Sequence, residues 1–191
     1  MSTDRLFIAI PFNTAERSFL QREMDELRAS RSFRKWVHPE DLHITLCFLG
    51  DTDPQTAEQV KSSLTSLTKP IRPFRLQFGG LGTFGKPDAP SILWKGLSGQ
   101  MEPLRQLQAR IVQAMEPLGF EPENRPYRPH ITLAKKYTGE APYTEAPLQD
   151  IEGSNGESAS WTVDRIVLFR THMYRQPMYE TIGIYPLEGS L

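Results

Sequence analysis

The tetrapeptide His-Ile-Thr-Leu occurs twice in this chain, at residues 43–46 and again at residues 130–133. Each copy lies in a β-favouring run, and successive side chains of a strand point to opposite faces. In each copy the histidine and the threonine therefore share one face, and the isoleucine and the leucine share the other. The repeat predicts two strands that each present an imidazole and a hydroxyl on a polar face, backed by an apolar layer.

The segments around the two copies follow the same order of predicted elements. A strand, a helix, a connection and a motif strand occur once over residues 5–50 and again over 91–137, although the copies share little sequence outside the motif. Both predicted helices, at about 14–30 and 99–118, carry one apolar stripe. These stripes consist of Leu20, Met24 and Leu27 in the first helix and of Leu104, Leu107, Ile111 and Met115 in the second. We therefore expect a single domain over 1–191 with an internal structural repeat, in which two lobes enclose a central groove.

The rest of the chain supplies further elements. A helix is predicted from Asp53-Pro54 to about residue 69, and strands at 74–78, 161–169 and 179–185. Residues 31–39 are interpreted as a basic connection, and 138–160 as a surface excursion. The glycine-rich run 79–85 is interpreted as a bend, because no helix follows it as in a phosphate-binding loop.

The composition limits the class of protein. The 22 Lys and Arg residues nearly balance the 23 Asp and Glu residues, which argues against coating of nucleic acid through bulk charge but allows local basic patches. A single cysteine excludes an internal disulfide framework and fits a reducing compartment. No apolar run approaches the roughly 20 residues that span a bilayer. We expect a cytoplasmic monomer without a membrane partner.

Two histidines that face each other across a groove can act as one acid and one base near neutral pH. Phosphodiester cleavage suits such a pair, because a base deprotonates the nucleophile while an acid protonates the departing oxygen. Thr45 and Thr132, on the same faces as His43 and His130, would donate hydrogen bonds to non-bridging phosphate oxygens. An anionic substrate also fits the basic residues near the two motifs, which are Arg31, Arg34, Lys35, Arg125, Arg128, Lys135 and Lys136.

These motifs resemble those of the 2H phosphoesterases, which are named for paired His-x-Thr-x motifs, and most closely the LigT-like RNA 2',3'-cyclic phosphodiesterases. The resemblance covers nearly the whole chain, with its strongest matches at residues 5–10, 42–50 and 124–133. It implies an α+β fold with two pseudo-symmetric lobes, each an antiparallel sheet with flanking helices. It also implies metal-independent hydrolysis of a 2',3'-cyclic phosphate to a 2'-phosphate, without a cofactor, on RNA ends or cyclic nucleotides.

The resemblance assigns roles to individual residues. His43 would protonate the 3' leaving oxygen, His130 would activate the water, and Thr45 and Thr132 would bind the phosphate. Lys135 stands where related proteins often carry a basic residue, and is a further candidate. Because the repeat is nearly symmetric, the residues alone do not say which histidine is the acid. Two alternatives stay open: a module that binds a nucleotide or RNA end without turnover, and a phosphodiesterase or 2'-5' RNA ligase for another substrate.

Aromatic and basic residues beside the motifs are candidates for contact with a nucleotide. Trp36 and Tyr127 could stack on a base, and Arg125 could contact the substrate. Phe48 is expected in the core, on the face of Ile44.

The remaining histidines and the cysteine are given structural interpretations. His38 and Asp41 lie close to His43, but no further His or Cys supports a tetrahedral metal site, so no metal is predicted. Cys47 is expected to be a small buried filler, and His172 to be a surface residue in a turn.

Overall fold

The computed structural model describes residues 2–144 and 159–190, and this part of the chain contains nine strands and three helices. In chain order they are β1 (Asp4–Pro11), α1 (Thr14–Ser30), β2 (Phe33–Trp36), β3 (His43–Thr52), α2 (Pro54–Thr68), β4 (Phe74–Lys86), β5 (Ala89–Gly99), α3 (Met101–Met115), β6 (Ile131–Tyr137), β7 (Ser160–Val163), β8 (Arg165–Thr171) and β9 (Tyr179–Pro186). None of the described helices is long and apolar enough to cross a membrane.

The strands form two antiparallel sheets. The first sheet has the order β3-β1-β8-β9, and the second has the order β2-β6-β5-β4-β7. The predicted α+β class, with two antiparallel sheets and flanking helices, is confirmed. Within each sheet a motif strand pairs with the strand that precedes its helix, since β3 pairs with β1 and β6 pairs with β5.

Local sequence explains where the helices begin and end. The N–H of Asn13 donates to Glu16 Oε2 (2.8 Å) before α1, and the carboxylate of Asp53 accepts from the Thr56 N–H (3.0 Å) at the start of α2. The short 3-10 turn that follows α3 ends at Gly119, whose φ of 96° is open to glycine at little steric cost. The predicted apolar stripes of α1 and α3 are buried, as their spacing indicates.

One apolar cluster joins the two sheets. It includes Leu6 and Ile8 from the first sheet and Leu76 and Leu93 from the second, all almost inaccessible to solvent. Helix α1 packs on the second sheet, where the rings of Phe19 and Phe78 stack 5.0 Å apart. Helices α2 and α3 contact each other and the first sheet, α2 through β9 and α3 through β3.

Two predictions about strands are wrong. The connection predicted at 31–39 contains β2, a four-residue edge strand that pairs with β6. The strand predicted at 161–169 is two strands, because the chain leaves the second sheet after Val163 and enters the first sheet at Arg165. A continuous run of β-favouring residues does not reveal a change of sheet, since both strands have the same residue preferences.

The structure corrects the prediction for the glycine-rich run and covers only part of the predicted surface excursion. The glycine-rich run 79–85 is not a separate bend but part of β4, which pairs with β5 through an irregularity between Phe78 and Leu81. The predicted surface excursion at 138–160 lies mostly outside the described residues.

Candidate active site

The imidazole of His43, at the start of β3, is fixed by hydrogen bonds at both nitrogens. Its Nδ1 lies 2.7 Å from the carbonyl oxygen of Asp41, and its Nε2 lies 3.0 Å from Thr45 Oγ1. Because a carbonyl oxygen only accepts, Nδ1 carries the hydrogen in this contact. The neutral ring therefore has its lone pair on Nε2, the nitrogen on the side of Thr45.

The imidazole of His130, directly before β6, is anchored in the same way. Its Nδ1 lies 2.7 Å from the carbonyl oxygen of Arg128, again two residues upstream. Both motif histidines thus donate through Nδ1 to a backbone carbonyl oxygen two residues upstream, which makes Nε2 the atom that can exchange a proton. In His43 this Nε2 contacts the Thr45 hydroxyl. Sequence reasoning did not foresee this anchor, because the carbonyl reaches the ring only through the conformation of the turn.

The carboxylate of Asp41 ties the first motif to the start of β9. It accepts hydrogen bonds from the backbone N–H groups of Met178 (2.8 Å) and Tyr179 (3.0 Å), and it is almost fully buried. His38 Nδ1 accepts from the Glu40 N–H at 3.2 Å and so caps the 3-10 turn at Pro39–Asp41. These contacts occupy the side chains that suggested a metal, and the described residues contain no cluster suited to hold one.

Aromatic rings surround both histidines. His43 lies against Phe7 (4.9 Å between ring centroids) and Tyr179 (5.3 Å), whereas His130 lies edge-on to Phe84 (5.0 Å). Burial lowers the pKa of His43 to about 4, although the hydrogen bond to the Asp41 carbonyl opposes this change. The charges of His130 and Lys135 lower the pKa further. At neutral pH His43 is therefore uncharged in the free protein.

A bulge in β6 brings Lys135 to the same face as Thr132. In the pairing of the two strands, Trp94 of β5 opposes Thr132 of β6, and Ile92 opposes Lys135. One residue of β5 but two residues of β6 lie between these pairs, which makes a bulge in β6. Strict alternation would have placed Thr132 and Lys135 on opposite faces. With the bulge, Lys135 is close enough for its charge to act on His43. Burial and the neighbouring Lys35 lower the pKa of Lys135 itself.

A cavity of about 930 Å³ opens beside the two motifs. Its walls include Thr45 and His130 but not His43, whose Nε2 contacts the Thr45 hydroxyl. A smaller cavity of about 330 Å³, near Arg17 and Glu40, lies away from both threonines of the motifs. The larger cavity is the candidate substrate site, because it is the one that motif side chains reach. Other side chains on its wall are Phe48, Phe84, Ile92, Arg125 and Tyr127.

The three flanking candidates have different surroundings. Tyr127 donates its hydroxyl to the Thr45 carbonyl oxygen (2.8 Å) while its ring faces the cavity, and burial raises its pKa. Arg125 is exposed on the cavity wall. Trp36 lies under the guanidinium of Arg28 (5.3 Å) and is not part of that wall. A stacking role for Trp36 stays a prediction.

The prediction that Phe48 packs in the core is wrong. The residue is 62% exposed, at the wall of the larger cavity. The pairing of β1 with β3 shifts between Ile8 and Ala9, which adds one residue, Leu46, to β3. Beyond this irregularity the side chains of β3 exchange faces, so that Phe48 leaves the face of Ile44.

Cys47 and His172 have contacts that fit structural roles. Cys47 is half-buried at the cavity wall, and burial, with a smaller contribution from Glu123, raises its pKa to about 11. Its thiol is therefore protonated and a poor nucleophile at neutral pH. His172 is half-buried and its Nε2 lies 2.6 Å from Glu180 Oε2, next to Arg170, so it belongs to a cluster of charged side chains.

Comparison with known proteins identifies the family. A family model described as the 2'-5' RNA ligase superfamily matches residues 17–175. The chain is 38% identical over 190 residues to an RNA 2',3'-cyclic phosphodiesterase of Geobacillus stearothermophilus, and this match covers 100% of the chain but only 59% of that protein. It is also 38% identical over 162 residues to an RNA 2',3'-cyclic phosphodiesterase of Bacillus subtilis, with 82% of each protein covered.

The fold agrees with a solved structure of LigT. The crystal structure of Escherichia coli LigT complexed with 3'-AMP matches with a TM-score of 0.78 and 21% identity, over 97% of this chain and 99% of that one. The family model and the curated relatives confirm the predicted resemblance to the 2H phosphoesterases, and this structure shows that the fold is that of LigT. With its paired His-x-Thr-x motifs and a family match over most of its length, the chain belongs to the 2'-5' RNA ligase superfamily.

Proposed function

We propose that this chain is an RNA 2',3'-cyclic phosphodiesterase that opens the cyclic phosphate at an RNA end and leaves a 2'-phosphate. The observation that carries this proposal is the matched anchoring of His43 and His130, each through Nδ1 to a carbonyl oxygen at 2.7 Å. Two rings held in this way offer two Nε2 atoms, which is what one proton removal and one proton delivery require. The names of the Geobacillus and Bacillus relatives support the same reaction.

The reaction moves two protons and exchanges one bond. A water attacks the phosphorus opposite the 3' oxygen and loses a proton to the Nε2 of one histidine. The bond between phosphorus and the 3' oxygen breaks, and the other histidine gives its Nε2 proton to that oxygen. The bond to the 2' oxygen remains, so the product carries a 2'-phosphate and a 3'-hydroxyl.

We assign the acid to His43 and the base to His130, following the family resemblance. The uncharged state of free His43 is compatible with this role if the ring takes up a proton together with the anionic substrate. A phosphate between the motifs would favour that uptake, since its negative charge would counter the burial that chiefly lowers the pKa of His43 and the positive charges that lower it further.

Hydroxyl and ammonium groups of the motif strands would bind the non-bridging oxygens. Thr45 is half-buried next to His43 Nε2, and Thr132 lies at the corresponding position of β6. Lys135 shares the face of Thr132 and supplies a positive charge where negative charge accumulates in the transition state.

Replacing each motif histidine by glutamine tests the acid–base pair. His43→Gln and His130→Gln should each lower kcat for a 2',3'-cyclic nucleotide by about 100-fold to 10,000-fold, because each removes one proton-transfer group. His172→Gln is the matched control, because the Nε2 of His172 contacts Glu180 and neither motif, and it should retain activity. Thermal unfolding of all three variants shows whether the fold is kept.

The products distinguish this proposal from its alternatives. Accumulation of the 2'-phosphate supports hydrolysis, whereas bound but unchanged substrate would indicate a binding module. Joined RNA ends would indicate a ligase. Undiminished hydrolysis by either motif variant would remove that histidine from the mechanism.

A further inference from the structure

Two lysines face each other directly across strands β2 and β6. Lys35 of β2 is the register partner of Lys135 of β6, so their Cβ atoms are roughly 5 Å apart. Like charges at directly opposed positions of an antiparallel pair destabilise the sheet. Burial is the main cause of the lowered pKa of Lys135, and the charge of Lys35 lowers it further.

Neither ammonium group forms an ion pair within the described part of the chain. The one hydrogen bond of Lys35 Nζ found there is to the thioether of Met178 (3.2 Å), which is a weak acceptor. The nearby carboxylate of Asp41 accepts from the Met178 and Tyr179 N–H groups and makes no ion pair with Lys35. Two opposed cations without a carboxylate are a local charge excess that an anion would relieve.

The position of the pair relates it to the active site. The bulge in β6 places Lys135 on the face of Thr132, and Lys35 lies one strand further out, on the sheet edge. Lys135 is also close enough for its charge to act on His43 of the other sheet. Lys35 also contacts the segment before β9, which belongs to the other sheet, so it lies where the two sheets meet. An extended RNA strand whose terminal phosphate lies at the motifs and Lys135 could leave the site past Lys35.

We propose that Lys35 binds the internucleotide phosphate on the 5' side of the terminal nucleotide, so that the preferred substrate is an RNA strand and not a free cyclic mononucleotide. This inference rests on the proposed function, because the terminal cyclic phosphate must occupy the motif histidines. Lys135 binds the terminal phosphate, and Lys35 binds the next phosphate along the strand. Side chains that start about one strand spacing apart can diverge to reach successive phosphates of one chain.

The test compares two substrates and two variants. The substrates are adenosine 2',3'-cyclic phosphate and a five-nucleotide RNA that ends in the same group. Lys35→Met keeps most of the aliphatic length and removes the charge. Arg34→Met makes the same change of charge on the same strand, but its side chain points to the opposite face of β2.

Lys35→Met should raise KM for the RNA about tenfold and leave kcat unchanged. Its kcat/KM for the mononucleotide should equal that of the wild type, and Arg34→Met should match the wild type on both substrates. Loss of one phosphate contact should also reduce the slope of log KM against log salt by about 0.7 for the RNA. If Lys35 had only a structural role, Lys35→Met would lower kcat/KM for both substrates by the same factor.

Two results for Lys35→Met would overturn the inference: an equal loss of kcat/KM for both substrates, or an unchanged KM for the RNA. Binding measured without turnover separates this failure from failure of the proposed function. Fluorescence anisotropy with a five-nucleotide RNA that ends in a 3'-phosphate should show the same tenfold weakening in Lys35→Met. If the wild type hydrolyses neither substrate, the proposed function fails while this binding comparison still decides the role of Lys35.

Discussion

The proton on His43 is the feature of a single residue on which the mechanism depends most. Its ring is packed against Phe7 and Tyr179, and burial lowers its pKa from the ordinary 6.5 to about 4. Between pH 4 and 6.5 the unfolded chain binds a proton here that the folded protein does not, so this group reduces stability as the pH falls through that window. The same burial makes the ring sensitive to any anion that approaches it.

We expect an oxyanion in the site to raise the pKa of His43. Sulfate is a suitable probe, because it keeps its charge between pH 4 and 8 and resembles a phosphate. Titration of the imidazole by NMR, in sulfate and in chloride at equal ionic strength, should show a pKa at least one unit higher in sulfate. Sulfate affinity should consequently rise as the pH falls from 7 toward 4, since binding takes up a proton.

The imidazole resonance that is missing from the spectrum of His43→Gln identifies His43 in that titration. If sulfate shifts the resonances of His130 but leaves the pKa of His43 near 4, binding of an anion does not cause the His43 imidazole to take up a proton. His43 would then be the base of the pair, and the direction of proton flow taken from the family resemblance would be wrong for this chain.

Helix α1 and strand β5 are joined by a buried ion pair behind the second motif. Lys95 Nζ lies 2.6 Å from Glu23 Oε1, and the two side chains are only 8% and 9% exposed. Lys95 is the register partner of Ile131, the residue after His130. The second carboxylate oxygen of Glu23 has no hydrogen-bond partner in the described part of the chain, so this carboxylate depends on Lys95.

Lys95→Met should lower the free energy of unfolding by about 3 to 5 kcal/mol, because it leaves Glu23 buried without a counter-charge. The double variant Glu23→Leu/Lys95→Met removes both charges and should recover most of that loss. Urea unfolding of the two variants and the wild type measures the difference. If Lys95→Met lowered the free energy of unfolding by less than about 1 kcal/mol, Glu23 would have to be hydrated or protonated in that variant.

The sequence predicts elements well where a pattern repeats over several turns or is closed by a cap. The stripes of α1 and α3, and the Asp53-Pro54 start of α2, gave helices close to their observed bounds. It fails where the partner strand decides the structure. Strand β2 has only four residues and is held by β6, and the change of sheet at Asp164 follows from the packing of two sheets.

The same reason limits the prediction of the site. Alternation within a single strand places each motif histidine on the same face as its threonine, since the two residues are only two positions apart. Phe48 and Lys135 lie beyond bulges, and a bulge is a property of two paired strands. Alternation therefore placed Phe48 on the wrong face. The pairing of Lys35 with Lys135 was not predictable either, because β2 itself was not predicted.

At the scale of the whole molecule, the two sheets are interleaved in sequence. Strand β1 lies in the first sheet, β2 in the second, β3 in the first and β4 in the second, and β8 returns to the first. The β1–α1–β3 and β5–α3–β6 segments support the proposed repeat, since in each a strand, a helix and a paired motif strand follow one another. The insertion of β2 into the opposite sheet departs from that symmetry and links the lobes.

We propose that residues 1–191 form one domain that unfolds in a single transition. The supporting observation is the continuous apolar cluster that contains Leu6 and Ile8 of the first sheet together with Leu76 and Leu93 of the second. The first sheet has a second, smaller apolar cluster on its other face, but each sheet buries its face in the shared core only against the other sheet. Loss of either sheet would expose the buried face of the other, so we expect cooperative, two-state behaviour.

The tryptophans allow a direct test of this cooperativity. All three of them, Trp36, Trp94 and Trp161, lie on strands of the second sheet, so their fluorescence reports that sheet, whereas far-UV circular dichroism reports both. In urea the two signals should give the same midpoint and the same slope. A fluorescence transition that is complete while half of the dichroism remains would show that the first sheet survives alone, and the chain would then consist of two domains.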